Sequence, residues 1–189
     1  MKHRIWLVLL LVLMLCSAHV LASAEAIATP SDLAASTAEP TPAEPPASKH
    51  TKRKPTLYEI PAEVLEADAD FAALMAEAEK HIGYPYVWGG SSPSTSFDCS
   101  GYLSWVLNQC GWDVGRLGAQ GLYNYCTPTS SPQPGDLVFF VGTYDTPGVS
   151  HCGLYVGDGW MLHCGDPISY TNLNSSYWQS HFYAYGRLP

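Results

Sequence analysis

Gly83-Tyr84-Pro85-Tyr86-Val87-Trp88-Gly89-Gly90, a polar loop over 91–97 that ends at Phe97, and then Asp98-Cys99-Ser100-Gly101 decide how the rest of the chain is read. Tyr102, Leu103, Val106, Leu107 and Cys110 follow at the three- and four-residue intervals of one helical face, and Gly111 is a stop signal. Asp98 stands where an N-cap would, its carboxylate able to accept from the orphan N–H groups of the first turn. That puts Cys99 in the first turn, where the partial positive charge of the helix end favours thiolate over thiol. Two readings fit: a small buried hydrophobe at the start of a core helix, or a nucleophile.

Outward from this stretch, folded structure is expected from about Tyr58. Phe71, Leu74, Met75, Ala78 and Ile82 fit a helix ending at Gly83, with His81 read as a favourable cation at its C-terminus. After Gly111 the chain is loop-rich to Ser131, with a short helix near Ala119–Tyr125. Pro134-Gly135-Asp136 then turns into the apolar strand Leu137–Val141, and two short runs flank Gly157-Asp158-Gly159 as a hairpin. A last strand is expected over 182–188.

The hairpin register decides the chemistry. With a three-residue loop over 157–159, Gly153 faces His163, and His151 and His163 share one face as diagonal neighbours. A two-residue loop puts them on opposite faces unless a bulge intervenes. On a shared face His151 suits proton exchange with Cys99, because imidazole titrates near neutrality. His163 would orient that ring as the third group of a nucleophile–base–orienter set. Zinc is disfavoured: His151-Cys152 and His163-Cys164 are strand neighbours that point to opposite faces, and no Cys-x-x-Cys knuckle is present. No cofactor motif is present either.

The rest of the 189 residues is of a different kind. Lys2, His3 and Arg4 precede an apolar run over 5–15, and Ala22-Ser23-Ala24 offers a cleavage site, so residues 1–24 read as an export signal. An uncleaved membrane anchor and a lipoprotein signal at Cys16 are the alternatives, the latter disfavoured by the large Leu15. Residues 25–57, rich in Ala, Pro, Thr, Ser and Glu, read as a disordered tether, and 58–189 as the domain. Export places the protein outside the cytoplasmic membrane. A formal net charge of −8, with a basic cluster only over 49–54, gives a nucleic-acid role no support. Of six cysteines, Cys16 lies in the leader, and the odd number left leaves at least one free thiol even if the others pair.

Tyr86-x-Trp88-Gly89-Gly90, Asp98-Cys99-Ser100-Gly101, Pro134-Gly135-Asp136-Leu137, Ser150-His151 before a Gly-x-Tyr-Val strand, and a polar residue at 163 together resemble, in this order, the NlpC family of peptidoglycan cysteine peptidases. The wording is similar to wall hydrolases carried on conjugative elements. The resemblance implies an α+β, papain-like domain whose nucleophile helix packs on an antiparallel sheet of about five strands. It implies Cys99, His151 and His163 as catalytic residues, with Tyr86, Trp88, Asp98 and Ser100 in the substrate site, Tyr86 near the oxyanion. It implies cleavage of the γ-D-glutamyl–diamino acid bond (meso-diaminopimelate or lysine) of peptidoglycan stem peptides; the chain is expected to act as a monomer and without a cofactor. An amidase or transacylase on the same scaffold, and an inactive wall-binding module, are the alternatives. Cys152 stands where the family pattern has an aliphatic residue, which leaves open a regulatory disulfide with Cys164.

Overall fold

A computed structural model describes residues 53–189. The expected leader at 1–24 and nearly all of the tether lie outside the described residues. Among the described residues no helix is long and apolar enough to cross a membrane.

The chain opens with helix α1 (Ala62–Ala67) and helix α2 (Ala69–Ala78), which runs on into a 3-10 turn, Glu79–His81. Asp68 caps α2, its carboxylate accepting from the N–H groups of Asp70 (3.0 Å) and Phe71 (2.9 Å). Phe71, Leu74, Met75 and Ala78, the stripe expected from spacing, are the buried face. His81 departs from expectation. It is buried against the rings of Tyr84, Phe97 and Tyr102, and burial lowers its pKa. It is a neutral core residue and not a cation at a helix end, because the 3-10 turn rolls its side chain inward.

The polar loop holds a two-stranded ribbon, β1 (Ser91–Ser92) with β2 (Ser96–Phe97), directly before helix α3 (Cys99–Gln109). Helix α3 ends as expected at Gly111, whose φ of 99° is left-handed. Helix α4 (Ala119–Tyr125) follows. Then come β3 (Thr127–Thr129), β4 (Leu137–Val141), β5 (Val149–Gly157), β6 (Trp160–Cys164), β7 (Ile168–Asn172), helix α5 (Ser176–His181) and β8 (Phe182–Arg187). The six strands β3 to β8 form one sheet in the order β3-β8-β4-β5-β6-β7, every neighbouring pair antiparallel. The fold is thus α+β with the helix that carries Cys99 packed on an antiparallel sheet, as the resemblance implied, and the sheet has six strands where it implied about five.

Both faces of this sheet are covered, which is why Leu137-Val138-Phe139-Phe140 is apolar without alternation. Leu137, Phe139, Cys152, Leu154, Leu162 and Cys164 join Phe71, Tyr102, Leu103 and Leu107 in the main core. Val138, Phe140, Met161 and Leu173 form a second, smaller core, with Trp178 of α5 packed on it.

The β5–β6 hairpin settles the register question in an intermediate way. Leu154 pairs with Leu162 and Tyr155 with Met161, the pairing expected of a three-residue loop, yet at the tip Gly157 pairs with Trp160. The turn is therefore two residues, Asp158 and Gly159, with φ of 50° and 73°, as a type I′ turn requires. The register shifts between Tyr155 and Gly157. That bulge adds back one residue and returns His151 and His163 to a common face.

Candidate active site

The backbone around Cys99 is built on close approaches that only glycine permits. A Cβ on Gly101 would stand 2.1 Å from the Gly90 carbonyl oxygen, and one on Gly90 would stand 2.6 Å from that of Ser96. The Gly89-Gly90 turn therefore lies directly on the first turn of α3. Asp98 N–H donates to Gly90 O at 2.9 Å and Val87 N–H to Phe97 O at 2.8 Å, stitching the two segments together.

Asp98 caps α3 as expected, Oδ1 accepting from Gly101 N–H at 2.6 Å and from the Ser100 hydroxyl at 2.9 Å. Its Oδ2 accepts from Gly89 N–H at 3.1 Å and from Arg116 Nη2 at 2.6 Å. The carboxylate thus holds the capping rotamer with both oxygens bonded to protein. Cys99 is the first residue of the helix. Its thiol is held well below the ordinary thiol range, first by a hydrogen bond from the Cys152 thiol, then by the charge and hydrogen bond of His151; burial and the Asp98 charge oppose them.

Ser150 anchors the start of β5 just before His151, its Oγ accepting from Thr143 N–H at 3.0 Å and the Thr143 hydroxyl at 2.7 Å. His151 Nε2 lies 2.8 Å from His163 Nδ1, and His163 Nε2 lies 3.0 Å from Thr171 Oγ1. Burial, followed by the neighbouring His151, pushes His163 well below its ordinary value, so His163 is neutral. In the arrangement in which Nε2 of His151 carries a proton, it donates to His163 Nδ1. That leaves His163 as the Nε2–H tautomer donating to Thr171. The chain of donors assigns these tautomers without a carboxylate. Trp178 covers both rings, with centroids 5.3 Å from His151 and 5.1 Å from His163.

The last feature that places His163 is Gly165, where an added Cβ would stand 2.9 Å from His163 Cε1. Gly165→Ala is expected to rotate the His163 ring off His151 and lower turnover about tenfold to a hundredfold with a melting temperature within a few degrees of the parent. Paired rate and thermal-melt measurements check this; an unchanged rate contradicts it.

A cleft of about 220 Å3 opens on Cys99, lined by Tyr86, Trp88, Asp98, Ser100, Arg116 and Tyr144 among others. Every residue expected from sequence to contact substrate is therefore in this lining. Trp88 meets Tyr144 edge-on at 5.3 Å. Burial and the nearby Cys99 raise the Tyr86 phenol, which remains a hydrogen-bond donor at neutral pH. All five cysteines among the described residues are free thiols, Cys152 donating to Cys99 and Cys164 lying 3.2 Å from Phe97 O. Sequence reasoning missed Arg116, Thr171, Trp178 and the thiol contact of Cys152. Thr171 sits on β7, whose alternation of buried Ile168 and Tyr170 with Ser169 and Thr171 was the available signal. Arg116 lies in irregular chain, where spacing carries no information.

Residues 83–187 match the NlpC/P60 family, and the chain belongs to it. The chain is 41% identical over 121 residues to the bifunctional muramidase/DL-endopeptidase CwlT of Bacillus subtilis, covering 62% of this chain and 36% of that one. It is 42% identical over 124 residues to the probable endopeptidase p60 of Listeria grayi, covering 65% and 24%. The chain thus spans little more than a third of the first relative and about a quarter of the second. A crystal structure of a Staphylococcus aureus protein described as similar to lipoprotein, NLP/P60 family, superposes with a TM-score of 0.62 at 39% identity over 73% of this chain and 45% of that one.

Proposed function

We propose that this chain is a cell-wall hydrolase, a cysteine endopeptidase that cleaves the γ-D-glutamyl–diamino acid bond of peptidoglycan stem peptides. The observation that carries the reading is the line from Cys99 through His151 to His163, with 2.8 Å between the imidazoles. The family and the endopeptidase names of its relatives support the substrate class. A DL-endopeptidase, the name one relative bears, hydrolyses a bond between D and L centres, and the γ-D-glutamyl–diamino acid linkage is of that kind.

In this mechanism the Cys99 thiolate attacks the carbonyl carbon. Charge that develops on the oxygen meets Cys99 N–H, which has no intrahelical acceptor at the first helical position, and the Tyr86 hydroxyl. His151 gives its proton to the departing amine as the C–N bond breaks, which leaves an acyl-enzyme. It then takes a proton from water as water attacks the acyl carbon, and the C–S bond breaks, which frees the acid product and returns Cys99 to the thiolate. His163, neutral, orients the His151 ring throughout. Tyr86, Trp88, Asp98 and Ser100 form the substrate wall. We assign residues 1–24 to export and 25–57 to a tether that holds the domain outside the cytoplasmic membrane.

The test is mass spectrometry of muropeptides from purified wall digested by the full chain. New amino termini on diaminopimelate or lysine are expected. New termini on the first L-alanine would identify an amidase and overturn the bond assignment, and no release at all would leave a wall-binding module.

A further inference from the structure

Asp98 presents a problem that the reaction does not explain. It is a buried carboxylate in the residue next to the sulfur, and that sulfur must itself carry negative charge to react. Two adjacent anions in a dry site repel strongly unless one is neutralised. The groups facing Cys99 are His151 and Cys152 on β5, Cys164 on β6, Tyr86 and Tyr144 on the loops, and Asp98 itself. Among these His151 is the single group that can bring a cation, and it is committed to the sulfur.

The compensating charge for Asp98 comes from outside this set. Arg116 Nη2 donates to Asp98 Oδ2 at 2.6 Å, and Nη1 donates to Ser100 Oγ at 3.0 Å. Ser100 in turn donates to Asp98 Oδ1 at 2.9 Å, so the three side chains close a ring around the helix start. Nη1 also reaches the Leu117 carbonyl, which fixes the guanidinium against its own backbone. The Arg116 side chain is 38% exposed and that of Asp98 10%, so the pair sits at the rim of the cleft, only partly screened.

We propose that Arg116 is a positioning residue for the Cys99 nucleophile: its guanidinium fixes and neutralises the Asp98 carboxylate, which would otherwise stand as an unopposed anion beside the sulfur. Arg116 acts through Asp98 and has no role in proton transfer. The inference rests on the reading of Cys99 as the nucleophile, and it deepens that reading. A planar, bidentate donor is required to span Asp98 and Ser100 together, which a lysine ammonium cannot do.

The test measures the rate of Cys99 alkylation by iodoacetamide against pH in the full chain, with the alkylated site identified by peptide mass. It needs no wall substrate, so its result is separate from that of the muropeptide experiment. In Arg116→Gln the rising limb is expected to move up by about one pH unit, the low end of single-charge effects because the guanidinium is partly exposed. Arg116→Lys recovers roughly half of that shift. Asp98→Asn, which keeps an acceptor at the cap, moves the limb in the opposite direction, below that of the parent. A purely structural role for Arg116 leaves the Arg116→Gln limb where the parent has it. An Arg116→Gln limb coincident with the parent overturns the proposal, as does an Asp98→Asn limb at or above the parent. Should Arg116→Gln fail to fold by near-ultraviolet circular dichroism, Arg116→Lys decides in its place: a limb displaced upward by about half a pH unit supports the proposal, and one coincident with the parent overturns it.

Discussion

Cys99→Ala is expected to reduce release of stem-peptide fragments from purified wall by about a thousandfold or more while leaving the melting temperature within a few degrees of the parent. The size follows from the mechanism. Without the sulfur no acyl-enzyme forms, and the remaining groups can only hold substrate near water. The fold is spared because Cys99 contributes one small side chain to a core that also holds Phe71, Phe97, Tyr102, Leu103 and Leu107 among many others. The same experiment has a chemical counterpart. Burial raises the thiols of Cys110, Cys152 and Cys164, and that of Cys126 up to about 12. Cys99 is the described cysteine whose thiol is lowered. Iodoacetamide at neutral pH should therefore label Cys99 first, and Cys99→Ala should remove the fast phase. Undiminished hydrolysis by the alanine variant would end the case for a cysteine peptidase.

The second large effect is on the fold. Gly101→Ala places a methyl group 2.1 Å from the Gly90 carbonyl oxygen, and 3.1 Å from both Gly90 C and Ser91 Cα. These are backbone atoms, so no side-chain rotation relieves the contact. The ribbon and the Gly89-Gly90 turn must lift away from α3. That breaks the bond from Gly89 N–H to Asp98 Oδ2 and carries Tyr86 and Trp88 off the cleft. Overpacking with side-chain relief costs about 1–3 kcal/mol; against backbone the loss should reach or exceed the top of that range. Denaturant unfolding should show the lower midpoint, and the folded fraction should have lost hydrolytic activity. A midpoint equal to the parent would mean that the turn is more pliable than these contacts imply.

What could be read in the sequence followed the strength of local rules. The start of α3 was legible because Asp98, Cys99 and Gly111 each obey a helix-end preference, and β4 because five apolar residues follow a Pro-Gly turn. β3 escaped notice because Thr127-Pro128-Thr129 is short, lies on the sheet edge and contains a proline. β7 was missed because its reference point is β6, which gives it meaning only through pairing: Met161 with Thr171 and His163 with Ser169. The shared face of the two histidines was legible only as a condition, since the tip turn and the bulge have opposite effects on register and no local signal announces the bulge. The disposition of charge around Cys99 was the least legible part. Arg116 reaches Asp98 across 18 positions of chain, and nothing in the residues between them announces a tertiary ion pair.

The sheet stands between two apolar layers, and Cys99 and the two imidazoles are divided between them. Cys99 belongs to the larger layer, whereas the His151 ring rests on Phe140 and Trp178 and the His163 ring on Trp178, members of the smaller one. Sulfur and imidazole therefore meet only while both layers keep their shape. A disturbance confined to the thin side, too slight to unravel the polypeptide, already parts sulfur from imidazole. Under the proposed mechanism, turnover would be a gauge of order in each half, and it should fade on warming before the chain as a whole gives way.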